Sequence, residues 1–64
     1  MNIAGVEVDW VPEFGNERHM RAAEKLNEQA LKVERLLKKK ETAETRSKVK
    51  AARDEIRRII STLK

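Results

Sequence analysis

His19 is the only histidine in this 64-residue chain and cysteine is absent, so few of the groups that build acid–base, nucleophilic or metal chemistry are available. A catalytic His19 needs a nucleophile or a carboxylate beside it in a closed, water-poor cleft, which so short a chain has little material to enclose. His19 reads instead as a polar residue of a first helical turn, at the edge of an apolar seam. There is no His-x3-His pair and no cluster of carboxylates at metal-ligand spacing. The two glycines, Gly5 and Gly15, do not compose a phosphate-cradling loop. The expectation is a protein that is not an enzyme and uses neither metal nor cofactor.

The densest chemical feature is a basic tract. Lys32, Arg35, Lys38, Lys39, Lys40, Arg46, Lys48 and Lys50 stand against only Glu34, Glu41 and Glu44. Phosphate backbones attract such a surface without any particular sequence. No aromatic residue interleaves with these cations, so bases have nothing to stack on, and no helix-turn-helix pattern is present. Lys38, Lys39, Lys40, Arg46, Lys48 and Lys50 are therefore candidates for docking an acidic protein surface, with nucleic acid as the alternative; a simply solvated tip is the bland reading. Elsewhere the charge is polarised. Residues 1–17 hold Glu7, Asp9, Glu13 and Glu17 with no Lys or Arg, while residues 18–64 hold all fifteen bases and seven acids. A chain so divided can associate head to body or steer acidic partners, although Lys and Glu on helix surfaces also serve plain solubility.

These side chains must be placed by very few elements. In residues 3–11, Ala4, Val6, Val8 and Trp10 alternate with Gly5, Glu7, Asp9 and Val11, the period-two pattern of a half-buried strand, and Pro12 ends ladder hydrogen bonding just beyond. No later segment repeats that pattern. A lone strand leaves main-chain donors and acceptors unpaired, so its partner is expected from a second copy or from the sheet edge of another protein. Residues 12–15 form a turn, and Asn16 is a good helix N-cap with Glu17 suited to the positive end of the dipole. From there Ala23, Leu26, Ala30, Val33 and Leu37 recur at spacings of 3, 4, 3 and 4, widened by Met20 and Leu36. A second seam of the same spacing joins Val49, Ala52, Ile56, Ile59 and Leu63, widened by Ile60.

No Gly or Pro separates the two seams, so their relative phase must decide between one helix and two. On a continuous helix at about 100° per residue the second seam lies roughly 120° from the first. Extending the first register would seat Glu44, Ser47, Asp54, Arg58 and Ser61 in the core. A break within residues 39–45, with Thr42 or Thr45 as the second N-cap, lets the chain reverse and the seams face each other; a single helix of 49 residues is the alternative. Pairs at i, i+4 (Glu17 with Arg21, Glu28 with Lys32, Glu34 with Lys38, Glu44 with Lys48, Asp54 with Arg58) assign much of the charge to solvated faces, at about 0.2–0.5 kcal/mol each.

The expected fold is mainly α: a strand and turn in residues 1–15, then an antiparallel two-helix hairpin in residues 16–64, with helices over about 16–40 and 43–63. At this length an apolar core is worth only about 3–5 kcal/mol. Disulfides are unavailable, so completion by homo-oligomerisation is expected, as a dimer or higher assembly. Val6, Val8, Trp10, Phe14, Leu26, Val33, Leu37, Ile56, Ile59 and Leu63 are the candidate interface residues for self or for a protein target. Trp10 has two readings, a small core residue closing the base of the helical layer or an interface anchor. No stretch reaches the ~18–20 apolar residues of a membrane span, and the N-terminus lacks the pattern of a signal peptide, so a cytoplasmic protein without membrane contact is expected.

The opening Met-Asn-Ile-Ala-Gly-Val-Glu-Val-Asp-Trp, followed by an acidic turn and a charged helix rich in Ala, Glu and Lys, resembles the start of small proteins encoded in phages and prophages of Gram-positive bacteria. The resemblance covers about the first 35 residues and rests on Ile3-x-Gly5-Val6-Glu7. It implies no catalytic residue. It implies a phage accessory role, in virion assembly or in stoichiometric inhibition of a host defence protein.

Overall fold

The computed structural model describes residues 2–63 of the chain. Strands β1 (Asn2–Ile3) and β2 (Val6–Glu7) are followed by helices α1 (Glu17–Lys38) and α2 (Ala43–Leu63). The helices form the antiparallel hairpin that the seam phases require, and the 49-residue continuous helix is excluded by a break at residues 39–42. Asn16 caps α1: its side-chain oxygen accepts from the His19 amide at 3.2 Å. Thr42 caps α2, its Oγ1 accepting from the Thr45 amide at 3.2 Å while its carbonyl accepts from Arg46 at 3.0 Å. At the open end, the Arg18 guanidinium donates to the Thr62 carbonyl at 2.7 Å and ties the last turn of α2 to the first turn of α1.

The N-terminal segment departs from the lone strand expected over residues 3–11. It folds back on itself as a miniature antiparallel hairpin, with Asn2 opposite Glu7 and Ile3 opposite Val6. The two-residue loop has positive φ at both positions, 53° at Ala4 and 89° at Gly5, as a type I′ turn requires, because its twist matches that of the flanking strands. Asn2 Oδ1 accepts from the Gly5 amide at 2.9 Å. The ladder partner expected from another chain is thus supplied by the residues just upstream. Period two survives in the burial, since Val6 and Val8 both point into the core.

Two apolar clusters lie along the hairpin. At the open end Val6, Val8, Leu26, Ile56 and Ile60 pack together with Ile3, Trp10 and Ile59 at their margin. Toward the closed end Val33, Leu36, Val49 and Ala52 form the second cluster, and the Ala4 methyl touches both. Ile56 is fully excluded from solvent.

The α1 seam is rotated from its expected position. Ala22, Leu26, Val33 and Leu36 are buried, whereas Leu37 is 64% exposed and Ala23 and Ala30 are half-buried. The apolar arc of α1 serves two partners: α2 covers the Ala22–Leu36 side, and the N-terminal arm covers the Ala23–Ala30 side, where Ile3, Ala4, Trp10 and Pro12 share a cleft with them. The spacing in the sequence marks the bisector of that arc. On α2 the burial follows expectation at Val49, Ala52 and Ile56, and Ile60 is buried more deeply than Ile59.

Candidate protein-interaction surface

A hydrogen-bonded turn at the open end of the hairpin, with the residues that lead into it, displays two apolar side chains. The Asn16 amide donates to the Glu13 carbonyl at 3.1 Å across a loop whose third residue, Gly15, has φ of 85°, a conformation that glycine adopts without steric cost. The Glu13 amide donates to His19 Nδ1 at 3.1 Å, so in this geometry the neutral ring carries its proton on Nε2. Trp10 meets the same ring edge to face, with centroids 5.4 Å apart. Asn16 thus caps the helix while His19 holds the turn to it. The result is that Phe14 stands 98% exposed and Val11 76% exposed, in a segment that carries Asp9, Glu13 and Glu17 and no base. Trp10 itself is half-buried against the open-end cluster, and its Nε1–H is buried without an acceptor among the described residues.

A shallow cleft of about 430 Å³ runs from the closed end along α2 as far as Arg57. Leu36, Leu37 and Val49 supply its apolar floor, and Lys39, Arg46, Lys50, Arg53 and Arg57 supply its cations, against Glu41 and Asp54. Arg46, Lys50, Arg53 and Arg57 follow spacings of 4, 3 and 4 on α2, so they form one stripe. The stripe was legible as a period, but Arg53 and Arg57 fall beyond the tract counted by charge density. Arg53 has a second task that no local pattern announces: its Nε donates to the Ala4 carbonyl at 2.8 Å, and its guanidinium lies against Gly5, where an added Cβ would come within 2.9 Å of it.

The six basic residues singled out from the sequence are all exposed at or near this end. Three are engaged locally: Lys38 with Glu34 at 3.8 Å, Arg46 with Glu41 at 3.0 Å and Lys48 with Glu44 at 3.2 Å. Lys39, Lys40 and Lys50 form no ion pair among the described residues. Of the other expected helical pairs, Glu17–Arg21 forms at 2.8 Å. Asp54 pairs with Arg57 rather than Arg58, Arg58 takes Glu55 instead, and Glu28 and Lys32 do not pair. The i, i+3 reach is as short as i, i+4 on a helix, so one acid choosing between two arginines is a matter of rotamer.

Of the candidate interface residues, Val6, Val8, Leu26, Val33 and Ile56 are spent inside the chain, Trp10, Ile59 and Leu63 are half-buried, and Phe14 and Leu37 are left outside. Met20 and Leu31 on the outer flank of α1, 47% and 45% exposed, join them. Among the described residues there is no grouping of three or more His, Asp or Glu able to hold a metal ion, and no helix is long and apolar enough to cross a membrane. No protein-family model, no curated protein and no solved structure matches this chain.

Proposed function

We propose that this chain is a small non-enzymatic protein acting by stoichiometric protein–protein interaction. It works as a homodimer or higher homo-oligomer that also occupies the surface of a protein target. The observation that carries this reading is Phe14, almost wholly exposed on a turn held by defined hydrogen bonds. Large aromatic side chains dominate interface energetics, and hydrogen bonds that hold the supporting turn lower the entropic cost of using one. The resemblance of the opening segment to phage and prophage accessory proteins supports an inhibitor of a host defence protein or an assembly adaptor. The place of action is then the cytoplasm of a bacterial cell or an infected host.

A benzophenone-bearing amino acid at position 14 tests this. Illumination in producing cells is expected to give a one-to-one adduct with a protein, suppressed by excess unmodified chain and absent when the probe sits at Lys25. Adducts of equal yield from positions 14 and 25 would count against the reading. A second reading, nucleic-acid binding at the closed end, is favoured by the Arg46, Lys50, Arg53 and Arg57 stripe with Lys38, Lys39 and Lys40 beside it. It requires affinity for duplex or single-stranded nucleic acid that falls steeply between roughly 50 and 200 mM salt, with a slope reduced by Lys38→Ala and Lys39→Ala. Absence of binding at low salt dismisses it.

A further inference from the structure

We infer that two copies of this chain pair side by side and antiparallel, the acidic turn of each seated in the cationic cleft of the other. This rests on the interaction-protein reading and names a second copy as the occupant of the cleft. The two surfaces are complementary in both charge and polarity pattern. The turn offers Phe14 and Val11, both mostly exposed, with Glu13, which forms no ion pair among the described residues; Glu17 is held by Arg21, and Asp9 lies toward Arg57. The cleft offers Leu37, 64% exposed, over the apolar floor, together with Lys39 and Lys50, which form no ion pair among the described residues. A phosphate backbone would use the cations and leave the floor uncovered, whereas an acidic turn with a projecting Phe uses both.

The placement of the two surfaces sets the symmetry. The turn leads into the start of α1 at the open end, and the cleft lies toward the closed end of a molecule 40 Å long and about 17 by 16 Å across. Stacking copies end to end would leave one turn and one cleft free at the ends of a growing filament. An antiparallel pair about a two-fold axis brings turn onto cleft at both ends at once and closes the assembly.

Light scattering on size-exclusion chromatography and sedimentation equilibrium of the full chain test the contact. The unaltered protein is expected to reach twice its 7.4 kDa mass reversibly over roughly 1–200 µM. Glu13→Lys and Lys50→Glu, both at exposed positions, should each weaken pairing at least about tenfold while circular dichroism stays unchanged. Mixing these two variants should restore the dimer, because one contact is then unaltered and the other has its charges exchanged. Phe14→Ala should weaken pairing at every salt concentration. A chain that stays monomeric throughout, or a dimer indifferent to both charge reversals, overturns the inference. So does failure of the mixture to recover, or nucleic-acid binding lost in Lys50→Glu without any self-association. An adduct from position 14 to a foreign protein in cells, with no self-association, would overturn this contact while leaving target binding intact.

Discussion

Arg53 reaches from the middle of α2 to the turn of the N-terminal hairpin, and the turn is shaped to receive it. The Ala4 carbonyl accepts its Nε, and Gly5 leaves the space in which the guanidinium lies. Ala4 at φ 53° is strained for a residue with a side chain, at about 1–2 kcal/mol. The charge-assisted bond to its carbonyl, the Asn2 side chain and the packing of its methyl offset that cost. Gly5→Ala adds a Cβ at φ 89° facing the guanidinium. It is expected to lower unfolding free energy by about 1–3 kcal/mol in urea titration; an unchanged midpoint would show that the arm does not contribute to the cooperative fold. Trp10→Ala should cost more than about 2 kcal/mol. Trp10→Phe should cost markedly less, since it removes a buried N–H that has no acceptor. Equal losses in the two variants would mean that the indole finds a partner in solution.

At the scale of elements, the decisive fact is the shift of the α1 seam by about one residue. Leu36 is 7% exposed and its neighbour Leu37 is 64% exposed, although the spacing from Val33 suits either. Leu36→Ala is therefore expected to cost about 2–3 kcal/mol and Leu37→Ala under about 0.5 kcal/mol, measured by denaturant midpoints of the isolated chain at dilution. The reverse order would return the seam to its bisector. Ile56, fully buried between both helices and the arm, should be the least replaceable residue: Ile56→Ala at about 2–5 kcal/mol removes most of what a core of this size supplies. The cap of α2 is a separate contribution. Thr42→Ala should cost about 1 kcal/mol, and Thr42→Asn, which can accept the same Thr45 amide, should recover most of it.

On the scale of the whole molecule, one copy gathers nine of the ten buried apolar side chains among the described residues into two small clusters and leaves five large ones outside. Its surplus of bases lies toward the closed end of a 40 Å rod, away from Glu13 and the exposed turn at the open end. If pairing joins those ends, it must weaken with salt. Raising ionic strength from about 0.05 to 0.5 M shortens the screening length severalfold and should raise the dimer dissociation constant, whereas the helix content of the monomer should hardly respond, because its ion pairs are exposed and individually small. Sedimentation and circular dichroism on the same samples separate the two effects; parallel loss of both would tie pairing to folding itself.

The helices, their caps and the reversal between them were readable from residue order, because each follows from short-range rules: a 3–4 apolar period, an Asn or Thr beside a first turn, and a phase jump that one helix cannot accommodate. The polarity of charge was equally plain. Three-dimensional packing alone settled the rest. A period defines the centre of an apolar arc but not how two partners divide it, so the burial of Leu36 over Leu37 had to wait for the arm and α2 to take their sides. Two short strands flanking Ala4-Gly5 look like one longer strand until the turn's positive φ values are seen. The union of Arg53 with Ala4 spans almost the length of the chain, and no local pattern encodes a contact whose partners meet only after both hairpins have closed.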